Sequence, residues 1–225
     1  MNEQEEQLKA LSEMRDLMNK SSRFLSLSGL SGVCAGIFAL LGAGAAYGVM
    51  KGIFFGMPFQ IQDVVTDRES SPFGKVLDAV YFSSIFNLLI IIAAAVLFLS
   101  LAFGWYFSKR KADKAKIPFW NPTAKIMLIN LFIPLIAGGL FCLAMLWHGI
   151  IGLISPATLI FYGLALLNAS KYTLNDIRYL GMCEIALGLI ATVFIAHGLI
   201  FWTIGFGILH IIYGTVLYFK YESGK

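Results

Sequence analysis

Four long stretches of this chain carry almost no charge, and the basic residues are concentrated in every second gap between them. The stretches are 24–50, 79–108, 126–170 and 179–219. A helix needs about 20 apolar residues to cross the roughly 30 Å hydrocarbon core of a bilayer, because each residue adds about 1.5 Å. The first two stretches therefore fit one membrane-spanning helix each, and the last two fit two each.

Both longer stretches are interrupted near the middle by a His-Gly pair, His148-Gly149 in one and His197-Gly198 in the other. Each is expected to form two helices joined by a tight turn. The sequence thus predicts an all-α membrane protein with six transmembrane helices in a single domain, residues 24–219. The expected spans are about 24–50, 79–108, 126–147, 149–169, 179–197 and 199–219.

The composition excludes an ordinary soluble domain. Hydrophobic residues make up 58% of the chain, charged residues make up 13%, and the mean hydropathy is +0.77. Soluble domains carry about 25% charged residues. In lipid every backbone polar group must be paired, which leaves helices or closed barrels, and these stretches lack the polar/apolar alternation of barrel strands.

The distribution of Lys and Arg predicts the orientation. Lys51, Arg68 and Lys75 are the only three of the seventeen basic residues in the gap 51–78, and the other fourteen lie in the gaps on the opposite side. The positive-inside rule therefore places both termini in the cytoplasm. The net charge of +4 requires no nucleic-acid partner, since juxtamembrane basic residues also attract anionic lipid.

Two cytoplasmic segments are candidate contacts for a protein partner. Residues 1–23 place Leu8, Leu11, Met14 and Met18 at helical spacing, which predicts a short amphipathic N-terminal helix. Its charges nearly cancel, so strong binding to anionic lipid is not implied. The lack of charge bias favours a helix that packs on the bundle's own cytoplasmic face over one that docks a partner. The second segment is the basic loop 109–125.

Two local patterns predict helix starts. Asn121 and Pro122 suit the N-cap and first turn of the third helix. Thr173, with Asp176 three positions later, resembles a capping box at the start of the fifth helix.

Small residues recur at spacings that allow close helix packing. Ser28, Gly32 and Gly36 lie four residues apart in the first span, and Ala35, Ala39 and Ala43 form a second ladder on a neighbouring face. The run from Arg23 to Gly32, continuing to Ala43, resembles the opening of a group of uncharacterised six-helix bacterial integral membrane proteins. The resemblance extends to the regions around Gly181 and His210. It implies the same topology and brings no activity, substrate or cofactor.

A weak internal repeat relates two hairpins, 126–169 and 177–219. A shift of 49 residues superposes His148-Gly149 on His197-Gly198, together with several apolar positions. Chance matches are common in apolar sequence. If the repeat is real, it resembles the parallel repeats of some transporters, whose binding sites lie between repeats.

Glu184 and His210 are the candidate ligand- or proton-binding residues. Glu184 is the only formal charge within a predicted span, and an ionised carboxylate in hydrocarbon is costly unless it is compensated. The two residues lie 14 and 12 positions from Gly198, on opposite sides of the turn, so they are at similar depth. Each shares a helix face with two glycines, which are Gly181 and Gly188 for Glu184, and Gly207 and Gly214 for His210.

Three interpretations of the Glu184 and His210 positions stay open. The two side chains could bind a proton, cation or polar ligand, could form a structural polar pair, or Glu184 could extend to the cytoplasmic headgroups. Asn87 and Asn130 are secondary candidates for lining a cavity at the same depth, although asparagines in spans more often link helices.

No enzymatic or metal motif stands out in the sequence. His148 and His197 provide fewer than the three or four ligands that zinc normally takes, and the three dispersed cysteines predict no disulfide framework and no metal cluster. We therefore expect no catalytic residue, metal or cofactor. The sequence favours a non-enzymatic membrane subunit or regulator, with a small transporter using Glu184 and His210 as the alternative and an intramembrane enzyme as the least supported class.

Overall fold

The structure is a computed structural model that describes residues 24, 26–51 and 72–223, together with the isolated Gln7, and the side chains of the second helix from residue 84 onward. The described residues form six helices and no strand. The predicted N-terminal helix 1–23 and most of the segment 51–78 lie outside this description. The helices are α1 Gly29–Met50, α2 Pro72–Lys114, α3 Pro122–Trp147, α4 Ile154–Ala169, α5 Asp176–Val193, and α6, which consists of α-helical Gly198–Trp202, π-helical Thr203–Leu209 and α-helical His210–Tyr221.

Five of the six helices are long and apolar enough to cross a membrane. The exception is α5, whose 18 residues include Asp176, Arg178 and Glu184. Large apolar side chains cover the outside of the bundle, and Phe98 and Trp147 are 71% and 88% exposed. Such a surface suits lipid rather than water, so the fold is compatible with a membrane protein.

Several helix ends differ from the sequence prediction. α1 begins at Gly29 rather than residue 24, because residues 26–28 are non-helical. α2 is longer than 79–108 at both ends, so the first third of the basic loop 109–125 is helical, up to Lys114. Hydropathy does not mark this end of α2, because a helix can continue through charged residues beyond the bilayer. The predicted cap of α3 is present, with the Asn121 side chain accepting a hydrogen bond from the Ala124 N–H at 2.7 Å.

The capping box predicted at Thr173 and Asp176 is wrong. Asn175 is the N-cap residue of α5 and makes no side-chain cap bond. Thr173 instead donates to the backbone carbonyl of Phe24 at 2.8 Å, and the Phe24 N–H donates to the Tyr172 carbonyl at 2.7 Å. A tertiary contact thus takes the hydroxyl that the local pattern assigned to the helix start.

Glycines bring two pairs of helices into backbone contact. On α1, an added Cβ at Gly36 would lie 2.6 Å from the Gly207 carbonyl oxygen of α6, and Gly32 faces Gly214 in the same interface. On α5, an added Cβ at Gly181 would lie 2.8 Å from the Gly163 carbonyl oxygen of α4. Without side chains at these positions the helices approach closely enough for extensive dispersion contact.

The bundle therefore consists of two halves. One half contains α1, α2 and α6, and the other contains α3, α4 and α5. The halves meet through an apolar cluster in which Leu217 of α6 packs with Leu166, Leu180 and their neighbours. At one end of the bundle they are also joined by Asp176, which accepts hydrogen bonds from Lys220 at 2.9 Å and Tyr221 at 2.7 Å.

The two hairpins proposed as a repeat have different turns. Gly149 has a φ of +73°, in the left-handed region that favours glycine, whereas Gly198 is right-handed helical with a φ of −51°. Their packing also differs, since α3 packs on α4 while α5 packs mainly on α4 and α6 mainly on α1. The two turns therefore differ in backbone conformation, although the repeat aligns their sequences.

Candidate functional site

Glu184 lies inside the bundle and has no exposed surface. α5 begins at Asp176, which is eight residues earlier and so about 12 Å away along the helix. The carboxyl group therefore faces the interior, and the interpretation that it extends to the headgroups is wrong. The predicted span 179–197 begins three residues later than the helix, and so placed Glu184 closer to the membrane surface.

The structure brings Glu184 and His210 together. The His210 Nδ1 atom lies 3.4 Å from Glu184 Oε1, which is within ion-pair distance. The same nitrogen lies 3.0 Å from the Gly205 carbonyl oxygen, and Nε2 lies 2.7 Å from the Tyr162 hydroxyl. His210 is 6% exposed, so all of these contacts are inside the protein.

The Gly205 carbonyl fixes the position of one hydrogen on His210. A backbone carbonyl can only accept, so Nδ1 carries a hydrogen and donates to Gly205. The neutral imidazole then has a free lone pair on Nε2, which accepts the hydrogen bond from the Tyr162 hydroxyl. Both ring nitrogens of a neutral His210 are satisfied by these two contacts.

Glu184 has no comparable partners. Neither of its carboxyl oxygens has a hydrogen-bond partner among the described residues. The 3.4 Å separation from His210 does not give hydrogen-bond geometry, because the Nδ1 hydrogen is directed to Gly205. A buried polar group without a partner is unusual in a folded protein and identifies this carboxyl as the candidate site.

The π-helical stretch Thr203–Leu209 shapes the wall beside the carboxyl group. An added Cβ at Gly205 would lie 2.5 Å from Glu184 Oε2 and 2.5 Å from a methyl carbon of Leu159. Glycine at this position leaves the room that the carboxyl occupies. π-Helical turns occur frequently at functional sites, because they displace a side chain or carbonyl from its regular helical position.

Aromatic rings enclose the other side of His210. The Phe206 ring stacks on the imidazole with centroids 5.9 Å apart, and it also packs against Tyr162 at 5.0 Å and Trp202 at 5.0 Å. The site is thus apolar apart from the carboxyl, imidazole, hydroxyl and carbonyl groups, which strengthens electrostatic interactions among them.

Asn87 and Asn130, the secondary candidates, do not join the site. Asn87 is exposed on the outer face of α2. Asn130 donates to the Ile126 carbonyl of its own helix at 2.9 Å, and its backbone carbonyl accepts from Asn168 of α4 at 2.9 Å. The Asn168 contact links helices, as the sequence favoured for asparagines in spans.

Sequence reasoning missed Tyr162 and Gly205. Tyr162 is not among the sequence candidates, although a hydroxyl within an apolar run is a signal for a buried hydrogen bond. Gly205 carries no signal in a segment so rich in glycine, since its role depends on the π-helical geometry.

The histidines at the turns and the cysteines form no metal site within the described part of the chain. His148 and His197 are exposed, and Cys34, Cys142 and Cys183 are free thiols. No group of three or more His, Cys, Asp or Glu side chains that could hold a metal ion occurs in residues 26–51 and 84–223.

Comparison with known proteins identifies no relative: neither a protein family, nor a curated protein, nor a solved structure matches this chain.

Proposed function

We propose that this chain is a six-span protein of the bacterial inner membrane with both termini in the cytoplasm, and that it works as a non-enzymatic subunit or regulator. The observation that carries the proposal is the closed interior. Glycine-mediated backbone contacts join α1 to α6 and α4 to α5, and the Glu184 carboxyl group inside the bundle has no exposed surface. Such packing supports a structural or regulatory role better than a permanently open pathway.

The exposed basic loop supports contact with a partner on the cytoplasmic side. Lys109, Arg110, Lys114 and Lys116 are exposed, while Lys111 turns inward to the Leu27 carbonyl at 2.7 Å. An array of exposed cations at the end of α2 would attract acidic protein segments and anionic lipid headgroups. Residues 1–23 are the second candidate contact.

Photocrosslinking in native membranes tests the subunit role. A photoreactive amino acid at Lys114, in the basic loop, is expected to give a discrete protein adduct, whereas the same group at the outward-facing Phe98 gives lipid adducts. The proposal fails if Lys114 and the neighbouring Ile117 yield no protein adduct at native expression levels.

The alternative is a small proton- or solute-binding transporter. It is favoured by one observation, the position of Glu184 between the two halves of the bundle, where relative movement of the halves would expose it. Purified protein in lipid vesicles distinguishes the two functions. A transporter moves protons or solute across the vesicle membrane, and Glu184→Gln abolishes the movement, whereas a subunit without its partner shows no flux.

A further inference from the structure

The interior of the bundle holds two titratable groups whose charges must balance. The carboxyl of Glu184 and the imidazole of His210 are 3.4 Å apart and both are at least nine-tenths buried. When the pair holds one proton in addition to the Nδ1 hydrogen of His210, its total charge is zero. Loss of that proton leaves an isolated buried carboxylate, and gain of a second leaves an isolated imidazolium, and both states carry a large desolvation cost.

The hydrogen bonds indicate where the proton resides. A neutral His210 is fully satisfied, since Nδ1 donates to the Gly205 carbonyl and Nε2 accepts from Tyr162, and an imidazolium would make the same two contacts without gaining a further one. Neither oxygen of Glu184 receives a hydrogen bond that would stabilise a negative charge. A carboxylate without donors is much less stable at this position than a neutral carboxylic acid.

Within the described part of the chain, no other charge offsets the carboxyl. The groups around it are His210 and Gly205 on α6 and Tyr162 and Leu159 on α4, and the ion pairs of the described residues include none between Glu184 and a Lys or Arg. On α5 itself, the neighbouring Cys183 thiol lies 3.8 Å from the Tyr213 hydroxyl.

We propose that Glu184 is a proton-binding site: its carboxyl is held as a neutral acid in the closed bundle and releases the proton only when the two halves separate at the π-helical stretch of α6. The ligand is a single proton. Separation would admit water to the carboxyl, which removes the desolvation cost and lets the group ionise. Proton release and opening of the bundle are therefore coupled. The inference goes beyond a subunit role and holds whether or not the protein transports a solute.

Infrared spectroscopy of the full-length protein in lipid nanodiscs tests the proposal. At about pH 7 exposed carboxyls are ionised, so a protonated-acid C=O band reports a buried neutral carboxyl. The band is expected in the wild-type protein and should be lost in Glu184→Gln. The matched control, Glu222→Gln, removes a carboxylate that is bonded to Gly29, Ser28 and Lys111, and should leave the band unchanged. The proposal is overturned if the band is absent at this pH or persists in Glu184→Gln.

Two further measurements keep the test decisive if Glu184→Gln does not fold. Nitrogen NMR of His210 in the wild-type protein should show a neutral ring with hydrogen on Nδ1, whereas an imidazolium would place the proton on His210 and overturn the assignment. Addition of sodium at constant pH should leave the acid band unchanged. Loss of the band on sodium addition would mean that a metal cation, rather than a proton, occupies the site.

Discussion

The Glu222 carboxylate, just after the end of α6, accepts a hydrogen bond from the backbone N–H of Gly29, the first residue of α1, at 2.6 Å. The start of the first helix and the end of the last therefore lie at the same end of the bundle. A chain that leaves and returns to the same side of a membrane crosses it an even number of times. Five helices qualify as spans by composition, so we infer that α5 is the sixth, despite its charges.

This contact also predicts a contribution to stability. Glu222 caps the N-terminus of α1, accepts from the Ser28 hydroxyl at 3.0 Å and pairs with Lys111 at 3.2 Å. Removing a helix cap costs about 1 kcal/mol. Glu222→Ala should lower the free energy of unfolding in detergent by about that amount. The control is Ser223→Ala, because Ser223 bonds only to its own helix. Equal stability of the two variants would show that the cap is unimportant.

Close packing of α1 on α6 predicts that Gly214 tolerates no side chain. A Cβ there would lie 2.5 Å from the Val33 backbone nitrogen, and backbone atoms cannot move aside as a flexible side chain can. Gly214→Ala should destabilise the protein by about 1–3 kcal/mol, as overpacking typically does. Gly139→Ala is the control, since an added Cβ meets nothing within 4 Å. Thermal unfolding of both variants in the same detergent makes the comparison, and a similar effect of the two substitutions would contradict the packing.

The contact between Gly205 and Glu184 predicts a non-additive pair of substitutions. Gly205→Ala alone should destabilise the bundle by about 1–3 kcal/mol, because the new methyl group meets the carboxyl oxygen and Leu159. In a Glu184→Ala background the methyl group gains room and the cost should fall. A double-mutant cycle of unfolding free energies should give a coupling of about 0.5–3 kcal/mol. Additive effects would mean that the two residues do not touch.

The contacts of Asp176 predict how the stability of the protein depends on pH. Partial burial raises the pKa of its carboxyl, but hydrogen bonds from Tyr221 and Lys220 more than offset this, so the pKa lies below its ordinary value. Because the pKa of Asp176 is lower in the folded protein than in the unfolded chain, the ionised carboxylate stabilises the fold above the ordinary carboxyl pKa. This stabilisation is lost as the pH falls through the pKa of the folded protein. Asp176→Asn should therefore be less stable than wild type at neutral pH, by no more than about 1 kcal/mol for so exposed a pair.

The pH dependence of this difference is the measurement. The gap in unfolding temperature between wild type and Asp176→Asn should close as the pH is lowered below the ordinary carboxyl range. Asp113→Asn, at an exposed aspartate near the end of α2 that forms no ion pair among the described residues, is the matched control for the loss of a carboxylate. A gap between wild type and Asp176→Asn that widens on acidification would contradict the assignment.

Hydropathy and charge were sufficient to locate the helices, because lipid imposes long apolar segments on any helical membrane protein. The depth of Glu184 and His210 also followed from the sequence, since rise per residue converts their distance from the Gly198 turn into position along the helix. The sequence did not reveal the π-helical stretch, because its backbone depends on how α6 packs between α1 and α5. The sequence also did not predict the hydrogen bond from Thr173 to the Phe24 carbonyl, because the hydroxyl can bond either to its own helix start or to a distant carbonyl.

The central claim is that the chain crosses the membrane six times, with both termini in the cytoplasm. Single-cysteine labelling in intact cells tests this claim most directly. In a cysteine-free background, new cysteines are introduced at His148 and at Ser223 and exposed to a membrane-impermeant maleimide. We expect labelling at position 148 in intact cells, and at position 223 only after the membrane is permeabilised. Labelling of both positions from outside would mean that an even number of spans separates residues 148 and 223, instead of the three that α4, α5 and α6 provide, and would contradict the account.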